Sequence, residues 1–306
     1  MASTSHFDAS ALFGVKDYVC VVTGGATGIG LMATQALAAN GAKVYITGRR
    51  MEVLETAAKA HCPSANGSGP GSIIPIGPCD VTSKEDLSSL VDQIRGKESH
   101  VNTLIIAAGI AGSKVQPDQE DATELSKKLW EGESVEAWQE TFNTDVTSVY
   151  FTSVAFLPLL QAAIKSESPA KAHPHSGHRF APSIITISSM SGLMRHAQGH
   201  FSYNAAKGAT VHLSKLMSAE FQKAGIRVNS IAPGYFPSEM TTQESDDRNK
   251  SKMPEGKIES TGHVPHMREG RDQEMGMAVL FLTRNEYVNG EILAIDGGVL
   301  NVVGGR

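Results

Sequence analysis

The chain has 306 residues, 41% of them hydrophobic and 19% charged, with a formal net charge of -5 at pH 7. That balance supplies a large apolar core and lacks the basic excess that nucleic acid or an anionic membrane surface would select. No apolar run approaches membrane-span length, and the first fourteen residues, MASTSHFDASALFG, lack the charged and apolar blocks of a signal peptide.

Short β-rich runs alternate with longer helical ones. The apolar run 18–24 predicts a strand, and 29–42 predicts a helix stopped by Asn40 and Gly41. A strand over 43–48 and a helix over 51–61 follow. Next come a strand within 71–80 and a helix over 84–96, with Leu87, Leu90, Val91 and Ile94 on one face. After a strand at 102–109, a polar stretch from 112 to 133 interrupts the rhythm. A long helical run, 134–165, precedes the strand 183–189. The helix carrying Tyr203 ends at Ala224 and Gly225, and the strand 226–234 follows it. A helix near 272–283 and a strand at 291–298 complete the pattern.

This alternation predicts an α/β protein: one Rossmann-type, doubly wound, seven-stranded parallel sheet with helices on both faces. No repeat or linker divides it, so residues 1–306 read as a single domain, with 1–13 a flexible N-terminus. Two segments break the pattern. Residues 165–182, rich in Pro, Ser, Gly and His, read as a surface loop. Its His173, His175 and His178 have no carboxylate or cysteine placed to complete a metal site, so no metal is expected. Residues 238–270 are polar and follow the C-terminal end of a strand, the edge where open α/β sheets bind ligands. They form a candidate substrate lid, with ligand-free disorder the alternative. Cys20, Cys62 and Cys79 show no metal-ligand spacing, and an odd, sparse count fits a reducing, cytoplasmic compartment.

The sequence VVTGGATGIG, 21–30, closes the first strand and opens the first helix. Gly24, Gly28 and Gly30 let the backbone turn tightly and approach a pyrophosphate, which the free N–H groups of the helix start would bind. At the end of the second strand an acidic residue would select NAD by binding the ribose 2′-hydroxyl. Here Arg49 and Arg50 stand instead, which favours the 2′-phosphate of NADP(H) over NAD(H). A solvated arginine pair opening the next helix is the plainer alternative. Asp80 after the third strand suits either the adenine amino group or a cap for the helix near Ser83.

Ser188, Ser189 and Ser191 fall at the ligand edge of the fifth strand, and Tyr203 begins the next helix. Lys207 lies four residues beyond Tyr203, on the same helical face. Ser189 can polarise a ketone oxygen, Tyr203 can deliver the proton, and the lysine charge favours the phenolate, bringing a pKa of about 10 toward working pH.

Taken together, TGGATGIG, AAG, ISSMSG, YNAAK, IAPGYFPS and AIDGG resemble the short-chain dehydrogenase/reductase family from about residue 14 to 303. The long loops and SVYFTSVAFLPLL are similar to fungal ketoreductases of the 3-oxoacyl-carrier-protein reductase or gluconate 5-dehydrogenase type. The resemblance implies that Ser189 orients substrate and Tyr203 is the acid/base. Lys207 would bind the nicotinamide ribose and lower the tyrosine pKa. It places Gly24, Thr27, Gly28, Ile29 and Gly30 at the pyrophosphate, and Asp80 and Val81 at the adenine. It further implies cofactor contacts from Ala108 and Gly109, and from Pro233, Gly234, Phe236 and Ser238 around the carboxamide. A homodimer or homotetramer built on the two long helices containing Val149 and Leu213 is also implied.

Two departures stand out. The family's NNAG after the fourth strand is Ile106-Ala107-Ala108-Gly109 here, which removes an asparagine that braces the sheet. The family's fourth catalytic residue, an asparagine, falls on Asp145. Its charge beside Lys207 would raise the lysine pKa and partly cancel its field on Tyr203. Asn143 could substitute only through a shift of register. The function expected is an NADP(H)-dependent oxidoreductase acting on a small-molecule ketone or alcohol. Met190, Leu193, Met194, Tyr235 and Phe236, with His196 as the polar exception, suggest a medium-sized, largely apolar substrate of polyketide or 3-oxoacyl kind. The alternatives are a non-redox cyclase, dehydratase or isomerase using Asp145, and a nucleotide-binding sensor.

Overall fold

Seven strands form as their apolar, β-branched composition dictates: β1 (Val19–Thr23), β2 (Lys43–Thr47), β3 (Ser72–Pro75), β4 (Thr103–Ile106), β5 (Ser183–Ile187), β6 (Arg227–Pro233) and β7 (Ile292–Ile295). A computed structural model describes residues 4–166, 180–242, 244–261 and 263–303; His173, His175 and His178 lie outside the described residues. The strands make one sheet in the order β3-β2-β1-β4-β5-β6-β7. Every pairing is parallel, and strands buried on both faces explain the unbroken apolar runs.

The period-two alternation of each strand divides the core. Cys20, Val22, Val44, Ile46, Ile105, Ile185 and Ile231 face one side. There they meet helices α2 (Gly28–Ala39), α3 (Met51–His61) and α11 (Asp272–Arg284) through Leu31, Leu37, Leu54, Val279 and Leu282. Val19, Val21, Leu104, Ile106, Ile184 and Val228 face the other. Against them pack α4 (Lys84–Arg95), α7 (Ser148–Ala163) and α8 (Phe201–Phe221). The helix-stop signals act as expected: Gly41 and Gly225 take positive φ, 99° and 75°.

Two expectations need correction. The polar stretch 112–133 contains helix α5 (Ala122–Gly132), capped by Asp121, which accepts from the amides of Thr123 and Glu124. None of its residues is buried, and its few large apolar residues, Leu125, Leu129 and Trp130, sit on one face of an otherwise polar segment. Second, α6 (Val135–Phe142) continues through a π turn (Asn143–Thr147) into α7, and the 29-residue run Val135–Ala163 is long and apolar enough by composition to cross a membrane. Its apolarity has a local use: Val149, Phe156, Leu159 and Leu160 are buried against the sheet.

A short helix, α1 (Ala9–Phe13), is held by Arg284, whose guanidinium donates to the carbonyls of Ala11 and Leu12. Nearby, the buried Arg227 guanidinium donates to the carbonyls of Ala181, Leu282, Thr283 and Val288. It thereby satisfies the C-terminal end of α11. The 238–270 segment carries α9 (Glu239–Thr242) and α10 (Lys257–Thr261), and α12 (Val299–Val302) closes the described chain.

Candidate active site

The C-terminal ends of β1, β2, β4, β5 and β6 open on one cavity of about 420 Å3. Its floor is the β1–α2 loop. Gly24 has φ 63°, and a Cβ there would stand 2.9 Å from the Ala108 nitrogen. A Cβ on Gly30 would fall 2.0 Å from the Gly24 carbonyl oxygen, and one on Gly28 would fall 2.7 Å from the Ser238 Cβ. Only glycine fits this crossing of backbones. Thr27 occupies the cap position of α2 without a side-chain hydrogen bond to the helix, so first-turn N–H groups remain open to an anion. These features fit a dinucleotide pyrophosphate.

Arg49 and Arg50 line the same cavity beyond β2. Arg50 donates to Glu239 of α9 at 2.7 Å. This pair is solvent-accessible and weak enough for a phosphate to displace. The Asp80 question divides cleanly. Ser83 caps α4, accepting from the Asp86 amide at 3.1 Å. Asp80 accepts from the Thr82 amide and hydroxyl at 2.9 and 2.7 Å. Those bonds, and the Arg49 charge, hold its carboxyl below the usual range. Asp80 stays at the cavity wall beside Val81, as do Ile29, Ala108, Gly109, Pro233, Gly234, Phe236 and Ser238. The brace expected to be lost with the family asparagine is partly replaced: the amides of Ala107 and Ala108 donate to the Thr23 hydroxyl at 3.2 and 3.4 Å.

The structure separates the three serines after β5. Ser188 is tied into the sheet, donating to the Ile231 carbonyl and accepting from Ser230. Ser189 turns to the cavity and caps a short 3-10 turn, accepting from the Ser191 amide at 3.1 Å. Tyr203 and Lys207 share one face of α8 as their spacing predicts, with the Lys207 Nζ 5.6 Å from the Tyr203 ring centre. The lysine also donates to the Ile187 carbonyl at 3.2 Å.

Asp145, not Asn143, faces this pair. The π turn rolls it inward, wholly buried, with its Oδ2 3.6 Å from Lys207 Nζ. Its Oδ1 accepts from the Ile110 amide at 2.9 Å, and Thr210 donates to its backbone carbonyl at 2.6 Å. Burial pushes the Asp145 carboxyl up while Lys207 pulls it back. For Lys207, burial pulls down, but Asp145 and Tyr203 outweigh it and the ammonium is raised. Burial also raises the Tyr203 phenol; Lys207 and a hydrogen bond with Ser189 oppose this, and Asp145 adds to it. The net direction is up, so the lysine pull is real but does not prevail.

The profile of the short chain dehydrogenase family matches residues 18–249. The chain belongs to the short-chain dehydrogenase/reductase family. It is 36% identical over 306 residues to the short-chain dehydrogenase/reductase PhomF of Diaporthe leptostromiformis, covering 98% of this chain and 97% of the relative. It is 37% identical over 308 residues to VdtF of Byssochlamys spectabilis, covering 96% of each. The Pseudomonas aeruginosa RhlG/NADP active-site complex superposes with a TM-score of 0.73 at 25% identity, covering 94% of this chain and 98% of that one. The chain is therefore an oxidoreductase of the CH-OH/C=O class with the Rossmann-type fold.

Of the residues expected to meet substrate, Phe236 lines the cavity, while Met190, Leu193, Met194, His196 and Tyr235 lie outside its lining. His200 stands edge-on to Tyr203, ring centres 6.4 Å apart. Burial holds its imidazole below the usual range. His196 is exposed, so the polar groups beside Tyr235 are instead Gln198 and His263. Tyr235 hydroxyl and His263 Nε2 lie 2.9 Å apart, and Gln198 donates to Tyr235 at 3.2 Å. Met190 and Met194 are buried with Met253, Ile258 and Val264 of the 238–270 segment. No spacing rule links residues so far apart along the chain.

Proposed function

We propose that the chain is an NADP(H)-dependent carbonyl reductase of a medium-sized, largely apolar ketone, able to run in either direction. The observation that carries this reading is the convergence of Ser189, Tyr203 and Lys207 on the cavity whose floor is the glycine loop. Arg49 and Arg50 at its other end support NADP(H) over NAD(H). Bound there, the nicotinamide supplies the hydride. Ser189 hydrogen-bonds the carbonyl oxygen, Tyr203 gives it a proton as negative charge develops, and Lys207 binds ribose and attracts the phenolate. Phe236 and Met240 on the cavity wall suit an apolar substrate.

The same reading takes 1–306 as one domain, with 238–270 as lid over the substrate. It takes the protein as cytoplasmic, consistent with three free cysteines, and as acting away from membrane and nucleic acid. Exposed Tyr150 and Val154 on α7 and Leu216 on α8 support a homodimer or homotetramer through these helices. A panel of ketones with NADPH deuterated at its transferable position tests the reading. Deuterium in an alcohol product, lost with Tyr203→Phe and weaker with NADH, supports it; cofactor binding without transfer to any ketone counts against it. The buried Asp145 carboxyl favours one second reading, a non-redox enzyme with Asp145 as acid/base. Asp145→Asn would abolish that chemistry, whereas deuterium transfer would persist.

A further inference from the structure

We propose that Asp145 acts through Lys207 to hold Tyr203 as a protonated acid, extending carbonyl reduction to more alkaline pH. The inference rests on the reading of Ser189, Tyr203 and Lys207 given above. Three observations carry it. Asp145 is wholly buried, and its Oδ2 has no hydrogen-bond partner, only the ammonium 3.6 Å away. Its Oδ1 is fixed by the Ile110 amide at 2.9 Å, so the carboxyl cannot swing aside. Gly109 makes room for both charges: a Cβ there would fall 2.8 Å from Asp145 Oδ1 and 3.3 Å from Lys207 Nζ.

An asparagine at this place would leave the Lys207 charge unopposed before the phenol. Asp145 changes the sum. The pair is neutral overall as ammonium and carboxylate, and equally neutral as amine and carboxylic acid. Lys207 still favours the phenolate, but Asp145 opposes it, so the pull on Tyr203 is weaker than from an ammonium alone. The other groups near the phenol do not restore it. Ser189 is neutral, and burial keeps the neighbouring His200 imidazole below its ordinary pKa, with Lys114 and Glu133 acting on His200 in opposite senses.

Reduction breaks the Tyr203 O–H bond and forms the product O–H bond, while the hydride forms the C–H bond. It therefore needs the protonated phenol. Oxidation of the alcohol needs the phenolate to accept that proton. The substrate equilibrium fixes the ratio of the two directions at any pH, so Asp145 acts on where each limb falls and not on that ratio.

The test is the pH profile of kcat/KM in both directions, with the ketone and alcohol that the deuterium panel identifies, for wild type and Asp145→Asn. The alkaline fall of reduction and the acid fall of oxidation should move together to lower pH by about one unit. A carboxyl serving packing alone would leave both midpoints in place, and that result, or a shift to higher pH, overturns the inference. A second measurement needs no turnover. With NADP+ added, the ultraviolet tyrosinate titration, differenced against the Tyr203→Phe protein, should begin at lower pH in Asp145→Asn, and in Asp145→Ser if the asparagine variant does not fold. An unmoved titration also overturns it. Failure of deuterium transfer would strike the reductase reading alone, since the titration reports on Asp145 independently.

Discussion

The cofactor loop and the cluster of side chains beyond Ser189 are built by different means. At the cofactor end the surface is backbone: Gly24, Gly28 and Gly30 cross so closely that a single Cβ collides with main chain or a neighbour. Beyond Ser189 the packing is by side chain, with Met190 and Met194 buried against Met253, Ile258 and Val264 from sixty or so residues later, and Tyr235 bonded to Gln198 and His263. A surface made of backbone tolerates no substitution but keeps its ligand. One made of flexible and amphipathic side chains can be repacked for another substrate.

The largest effect should come between the two. Tyr203→Phe removes the proton donor while preserving the ring, so kcat/KM should fall by about 10² to 10⁴-fold with NADPH affinity little changed, as steady-state rates and calorimetry would show. A variant that keeps its rate would break the assignment of the acid. Next, Gly30→Ala places a methyl 2.0 Å from the Gly24 oxygen. The loop must move, and NADPH affinity should weaken by about 10- to 100-fold, an overpacking cost of about 1–3 kcal/mol expressed on binding. Phe236→Leu, on the cavity wall, should instead change the ranking of ketones more than NADPH affinity.

Arg50→Ala should weaken NADPH binding by about tenfold and barely touch NADH, in keeping with the loss of a charge-assisted bond to phosphate. Glu239→Gln releases Arg50 from its present partner and should tighten NADPH by a few-fold at most, because the pair is exposed. Equal effects on both cofactors would place the arginine pair in solvent, not on the 2′-phosphate.

The smallest effect concerns the ion pair that ties the 238–270 segment to α11. Glu274 accepts from Arg268 at 2.6 and 2.9 Å and from the Arg271 amide at 2.8 Å, joining the 238–270 segment to the start of α11. These partners, Arg268 first, hold its carboxyl down to about 2 from an ordinary 4.5. A depressed carboxyl stabilises the fold above its unfolded value, and that contribution is lost as pH falls from about 4.5 toward 2. Glu274→Gln should cost about 1 kcal/mol or less in a denaturant titration at pH 7, and the difference from wild type should shrink as pH falls from about 4.5 and vanish below about 2. A difference that persists there would mean packing, not charge, makes this contact.

The same contrast explains what could be read in advance. Strands β1 to β7 follow from apolar runs, and the glycine loop and the Tyr203–Lys207 face follow from spacing within a few residues, so all were legible. Asp145 was legible as a departure, but its inward turn depends on the π turn at Asn143–Thr147, which no periodicity signals. Helix α5 is hard to read because its apolar face, Leu125, Leu129 and Trp130, is short and set among polar residues. His196 was preferred to Gln198 and His263 because the contact with His263 is made across 65 residues of chain.

The most direct measurement is a single turnover with deuterated NADPH bound, a ketone added, and the alcohol analysed by mass spectrometry for wild type and Tyr203→Phe side by side. Deuterium on the carbinol carbon in wild type, and none within the same time in the variant, is the predicted result. Equal transfer in both proteins would contradict the placing of hydride acceptor and proton donor at this one cavity.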